Sequence, residues 1–84
     1  MSNLKILFFA NLREALSCSE LSLEYIEGET IGKLIDRLIA QQGSKFNSLL
    51  DDSVKSAINS SLVDREQVIT ASSEIAFFPP VTGG

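Results

Sequence analysis

The amino-acid sequence predicts an α+β domain in which one main helix packs on one face of a mixed sheet. Three observations lead there. Ile31, Leu34, Ile35, Leu38 and Ile39 recur at i, i+3, i+4, i+7 and i+8, which makes one continuous apolar helical face. Short alternating or β-branched runs lie on both sides of that helix. The first and last of these runs, residues 5–9 and 74–78, are the most apolar, as neighbouring strands at the centre of a sheet should be.

Taken in order, residues 5–9 (Lys5-Ile6-Leu7-Phe8-Phe9) read as a strand, and residues 10–16 as a short helical turn or connection. Residues 20–25 alternate strictly, with Leu21, Leu23 and Tyr25 on one face and Glu20, Ser22 and Glu24 on the other. Glu27-Gly28-Glu29 breaks that strand. Thr30 is placed to cap the main helix through its hydroxyl, and Gly43 to end it in a left-handed conformation. A helical turn is expected around residues 46–50. Residues 54–59 read as a third strand with Val54 and Ile58 inward, and Leu62-Val63 as a short edge strand. A turn at residues 64–67 precedes the last strand, residues 74–78. Pro79-Pro80 ends it, because neither residue can donate a ladder hydrogen bond.

Composition excludes several classes of function. The chain has 84 residues, enough for one small domain spanning 1–84 and no second core. Its formal net charge is −4, and the seven Lys and Arg are scattered rather than striped, so nucleic acid is not an expected partner. An acidic surface suits a basic protein partner better. There is no His and one Cys, Cys18, so Ser-His-Asp and Cys-His pairs, intrachain disulfides and a zinc site are all ruled out. Cys18 reads as a small hydrophobe and Asp51-Asp52 as a solvated turn. No metal site is expected. The apolar run at residues 4–10 is too short to span a membrane and is cut off by Asn11, Arg13 and Glu14. The expectation is a cytoplasmic protein without a membrane partner.

Two features carry the functional reading. Side chains alternate along a strand, so Ile6, Phe8, Ile75 and Phe77 should face the helix. Leu7, Phe9, Ala76 and Phe78 then form an apolar patch on the face the helix leaves uncovered, a candidate partner surface. The second feature is the ending, Val81-Thr82-Gly83-Gly84 after Pro79-Pro80. At an average glycine usage of ~7 %, a Gly-Gly ending arises by chance in roughly one chain in two hundred. Residues 79–84, kept extended and away from the sheet by the prolines, can reach about 20 Å. A backbone with no Cβ at its last two positions can enter a channel too narrow for any side chain. The unusual reactive group it would deliver is a terminal carboxylate.

Phe77-Phe78-Pro79-Pro80-Val81-Thr82-Gly83-Gly84 is similar to the C-terminal motif of the molybdopterin synthase small-subunit family. Lys5-Ile6-Leu7-Phe8-Phe9-Ala10 followed by Leu12-Arg13-Glu14 resembles that family's opening strand and turn, and Asn59-Ser60-Ser61-Leu62-Val63 matches a further segment in type. The resemblance implies a ubiquitin-like β-grasp fold and a sulfur carrier with no active site of its own. In the implied cycle an activating enzyme uses ATP to adenylate Gly84, and sulfur replaces the adenylate to give a thiocarboxylate. Val81, Thr82, Gly83 and Gly84 then enter the large synthase subunit, where the sulfur passes to cyclic pyranopterin monophosphate. ATP is used by the activating enzyme, and no cofactor is bound by this chain. Phe9, Leu62, Phe78, Pro79 and Pro80 map onto the family's partner-binding face.

Three other readings share some of these features. A carrier of the thiamine or another thiolation pathway has the same fold and tail, usually in a shorter chain without Phe-Phe-Pro-Pro. A ubiquitin-type modifier would be attached to lysines, and such tails commonly carry Arg where this one has Thr82. A plain interaction domain would carry Gly-Gly by accident.

Overall fold

A computed structural model of the chain describes residues 3–71 and 73–79. The elements follow in the order β1 (Asn3–Phe8), α1 (Ala10–Leu16), β2 (Glu20–Glu24), α2 (Ile31–Gln42), a 3-10 helix (Ser44–Leu50), β3 (Lys55–Ile58), β4 (Ser61–Val63) and β5 (Glu74–Phe78). All five strands join one sheet in the order β2-β1-β5-β3-β4. β1 and β5 run parallel with Ile6 opposite Ile75 and Phe8 opposite Phe77, and the other pairs are antiparallel. Parallel neighbours need a long crossover, and everything from β2 to β4 lies within it.

Local chemistry accounts for α2. Thr30 is extended, and its hydroxyl accepts the Lys33 N–H at 3.3 Å, as the cap reading required. Two further N–H groups of the first turn are taken by a loop: Ile31 donates to the Gln67 carbonyl at 3.0 Å and Gly32 to the Arg65 carbonyl at 2.9 Å. Gly43 ends the helix at φ +104°, a glycine conformation, although its ψ of 176° lies outside the left-handed helical region expected for it.

The core lies between α2 and one sheet face. Ile31, Leu34, Ile35 and Leu38 are buried there with Leu4, Ile6, Phe8, Ile75 and Phe77. Each such side chain contributes about 1.5–3 kcal/mol when fully buried. Phe46 and Leu49 of the 3-10 helix close one end, with Phe46 edge-on to Phe8 at 5.7 Å between ring centroids. Phe8 also stacks on Phe77 at 5.9 Å.

β2 stops at Glu24, one residue before the expected end, and β3 is shorter than expected at both ends. Val54 and Ile58 do pack against the core, yet both are only half-buried, while Ser56 between them is buried. Its Oγ donates to the Val63 carbonyl at 3.5 Å, which lets a hydroxyl sit under the sheet edge. The hairpin from β3 to β4 turns on Asn59 and Ser60, at φ +50° and +73°. Positive φ at both central residues gives the turn whose twist matches that of the flanking strands.

Candidate functional site

The sheet face opposite α2 is built by the strand registers. Leu7 lies opposite Ala76, Ala76 opposite Ala57, and Ala57 opposite Leu62, so one row of apolar side chains crosses four strands. In the adjoining row Phe78 of β5 is opposite Lys55 of β3. Phe9 extends the β1 ladder by one step, its N–H donating to the Phe77 carbonyl at 3.2 Å. Ala76 and Ala57 are the short side chains at the centre of this surface, and Phe9, Phe78, Leu7 and Leu62 are the large ones around them. Leu62 is 68 % exposed and Phe9 45 %, while Leu7, Ala76 and Phe78 are half-buried. Lys5 and Glu74, opposite one another, form a polar border, and both are exposed.

Strand alternation placed Leu7, Phe9, Ala76 and Phe78 on this face, and the structure brings them together with Leu62. Ala57 and Lys55 were missed. The signal for Ala57 was its parity opposite to Ile58, which the expected inward pair Val54 and Ile58 already implied.

β5 occupies the middle of the sheet, so its C-terminal end at Phe78 lies at the centre of the fold, beside this apolar face. Half-buried Pro79 borders a cleft between α1, at Leu12 and Ala15, and the turn formed by Asp51, Ser53 and Val54. Asp51 organises that turn. Its Oδ1 accepts the Ser53 N–H at 2.9 Å and the Ser53 hydroxyl at 2.7 Å. These two hydrogen bonds, with a smaller contribution from Arg65, hold its carboxyl below the usual aspartate range. Arg65 reaches the same turn from the other side, donating to the carbonyls of Leu49, Leu50 and Asp51. Pro80, Val81, Thr82, Gly83 and Gly84, the remaining expected tail residues, lie outside the described residues.

Among the described residues no group of His, Cys, Asp and Glu could hold a metal ion, and no helix is long and apolar enough to cross a membrane. Cys18 is half-buried against the core, its Sγ 3.4 Å from the Glu20 carbonyl. Asp51 and Asp52 are exposed, as a solvated turn should be.

Comparison with known proteins agrees with this architecture. The ThiS family model matches residues 6–84. The molybdopterin synthase sulfur carrier subunit of Escherichia coli K12 is 35 % identical over 83 residues, which cover 96 % of this chain and 99 % of that one. Among solved structures, SAMP1 from Haloferax volcanii superposes with a TM-score of 0.81 at 22 % identity, over 98 % of this chain and 99 % of its own. A chain from the complex of subunits 1 and 2 of the molybdopterin-converting factor of Helicobacter pylori superposes at 0.66 with 20 % identity, over 98 % and 99 %. At those identities the structural likeness speaks for the fold, the ubiquitin-like β-grasp. With residues 6–84 inside the match, the chain belongs to the ThiS family.

Proposed function

We propose that this chain is a molybdopterin synthase sulfur carrier subunit, which presents a Gly84 thiocarboxylate to a large catalytic subunit. The observation that carries the reading is the position of β5. The central strand ends at Phe78, beside the uncovered face of Phe9, Phe78 and Leu62, and in the sequence it is followed directly by Pro79-Pro80-Val81-Thr82-Gly83-Gly84. A partner seated on that face would have the tail at hand. The near-full-length similarity to a protein named as such a subunit supports the same conclusion.

The chemistry follows from the terminal group. A carboxylate with a pKa near ~3.5 is ionised at neutral pH and is a poor electrophile. Attack of the Gly84 carboxylate on the α-phosphate of ATP, with pyrophosphate leaving, would supply an acyl adenylate with a good leaving group. A sulfur nucleophile then displaces AMP and leaves the thiocarboxylate. The activating enzyme holds ATP, and the large subunit holds the pterin. This chain contributes the tail, its reach and the docking face. The same tail chemistry defines the thiamine-type alternative, and the relative's name together with Phe77-Phe78-Pro79-Pro80 favours the pterin pathway.

Deletion of Gly84 tests the proposal. Residues beyond Pro80 add little to a core, so the thermal midpoint should be unchanged. Sulfur transfer should nevertheless be lost, because removing one residue retracts the carboxylate by about 3 Å, and a ~1 Å misplacement already costs on the order of a hundredfold in rate. Incubation with ATP, the activating enzyme and a sulfur source, then intact-mass analysis, reads the exchange of one oxygen for sulfur. A truncated chain that gains sulfur and supports molybdopterin formation as well as the full chain would refute the proposal.

A further inference from the structure

We infer that the free edge of β4 pairs, main chain to main chain at Leu62, with an extended segment of the large subunit; the inference rests on the docking face read above. The two-residue turn at Asn59 and Ser60 makes Ile58 and Ser61 the closing pair of the hairpin, which exchanges both backbone hydrogen bonds. Bonded and non-bonded pairs alternate in an antiparallel ladder. Ser56 and Val63 therefore bond again, and Ala57 and Leu62 between them do not. The other side of β3 agrees: Asn59 donates its N–H to the Glu74 carbonyl of β5 at 2.8 Å, so the odd-numbered residues of that strand face β5. The N–H and C=O of Leu62 consequently point out of the sheet at its edge. Among the described residues neither group has a partner.

The same residue presents its side chain to the docking face, opposite Ala57 and 68 % exposed. Leu62 thus offers an apolar anchor on the face and a donor–acceptor pair at the edge. A cleft lined by Lys55, Leu62, Asp64 and Arg65 opens at this edge, continuous with the face through Leu62. A protein seated on the face and reaching past Leu62 meets all three features.

The opposite edge of the sheet is built differently. The Phe8 N–H donates to the Ser19 carbonyl at 3.0 Å, so Glu20, Ser22 and Glu24 of β2 turn their peptide groups outward. There the chain occupies its own edge. The Glu20 carbonyl accepts the Cys18 thiol at 3.4 Å, and the Glu24 carbonyl accepts Arg37 at 2.8 Å. The exposed carboxylates of Glu20 and Glu24 flank Ser22, and charge on an edge strand discourages pairing. β4, with Ser61, Leu62 and Val63, carries no charge and no such cover. An uncharged edge that continues an apolar face is a template for strand addition, where main-chain bonds supply affinity and the alternate side chain supplies fit. Because β4 has three residues, the added segment is short and bonds at Leu62 alone.

The test uses the full chain, assembled by ligation with Leu62→N-methylleucine, and with Ser22→N-methylserine as the control at the other edge. Each keeps its side chain and loses one outward N–H. The Leu62 variant should bind the large subunit about tenfold more weakly, the upper range for one hydrogen bond. Its thermal midpoint should be unchanged, because that N–H has no partner within the fold. The Ser22 variant should bind like the wild type. Hydrogen exchange reads the same bond in the unmodified chain: the Leu62 amide should exchange freely alone and about tenfold more slowly in the complex, and the Ser22 amide should not change. Wild-type affinity of the Leu62 variant, or an unprotected Leu62 amide in the complex, overturns the inference. If Phe9→Lys and Phe78→Lys still weaken binding in that case, the docking face stands without the edge. If those two bind like the wild type, the face itself is wrongly assigned and the inference falls with it. Sedimentation showing that the Leu62 variant loses self-association, with wild-type affinity for the large subunit, would give the edge to a second copy of this chain and overturn the inference as well.

Discussion

Arg37 grips Glu29 through two hydrogen bonds, Nε to Oε2 at 2.9 Å and an Nη2 to Oε1 at 2.8 Å, and the same Nη2 donates to the Glu24 carbonyl at 2.8 Å. The pair joins the middle of α2 to the loop that enters it, and Glu29 is 6 % exposed against 16 % for Arg37. Removing Arg37 would strand a buried carboxylate. Arg37→Ala should therefore cost about 3 kcal/mol of stability, a fall of roughly 15 °C in the midpoint for a domain of this size. Arg37→Met with Glu29→Leu should cost less than Arg37→Ala alone, since no charge is left without a partner. Equal stability of Arg37→Ala and the wild type in a urea titration would show that the pair contributes nothing.

Ser60 is the second residue of the β3–β4 turn, at φ +73°. Asn-Gly is the preferred sequence for such a turn, so Ser60→Gly should raise stability by about 0.5 kcal/mol, a relief of Cβ strain partly offset by unfolded-chain entropy. Asn59→Ala should act in the opposite direction. Asn59 donates its N–H to the Glu74 carbonyl at 2.8 Å and accepts the Glu74 N–H on Oδ1 at 2.9 Å, and alanine keeps only the first bond. Chemical denaturation of the two variants checks both signs.

On the open sheet face, Phe9→Lys and Phe78→Lys should each weaken binding of the large subunit by about 2 kcal/mol or more, as loss of an aromatic anchor does. Their midpoints should shift little, because neither side chain is in the core. A large loss of stability with normal binding by the folded fraction would place these residues structurally rather than at an interface.

Asp51 supplies a pH prediction. Its folded-state pKa is depressed, mainly by the two Ser53 hydrogen bonds, so its contribution to stability is present above the unfolded pKa of about 3.9. That contribution is lost as pH falls through the lower folded value. Ser53→Ala removes one of the two bonds and should raise the Asp51 pKa toward the ordinary range. Carboxyl chemical shifts followed by NMR from neutral to acid pH read it directly, and an unchanged titration midpoint would contradict the assignment of cause.

The periodic parts of this fold were legible in the chain itself. A helix period at Ile31, Leu34, Ile35 and Leu38, a hydroxyl at Thr30 and a strand period at Leu21 and Leu23 are local patterns, set by backbone geometry that needs no partner. Alternation likewise sorts Ile6 and Phe8 from Leu7 and Phe9, and so outlines the candidate docking face. The Gly83-Gly84 ending was legible as a motif after Pro79-Pro80, similar to the ending of a known family. Tertiary structure alone decided the rest. Arg37 finds Glu29 eight residues away, and Arg65 finds the Leu49 carbonyl sixteen residues away, because the fold brings these groups together. Nothing in the residue types announces either pair. The left-handed turn at Ala10 is invisible for a related reason: alanine is the best helix former, and only the simultaneous pull of β5 on the Phe9 N–H and α1 on its carbonyl forces that residue out of the right-handed region.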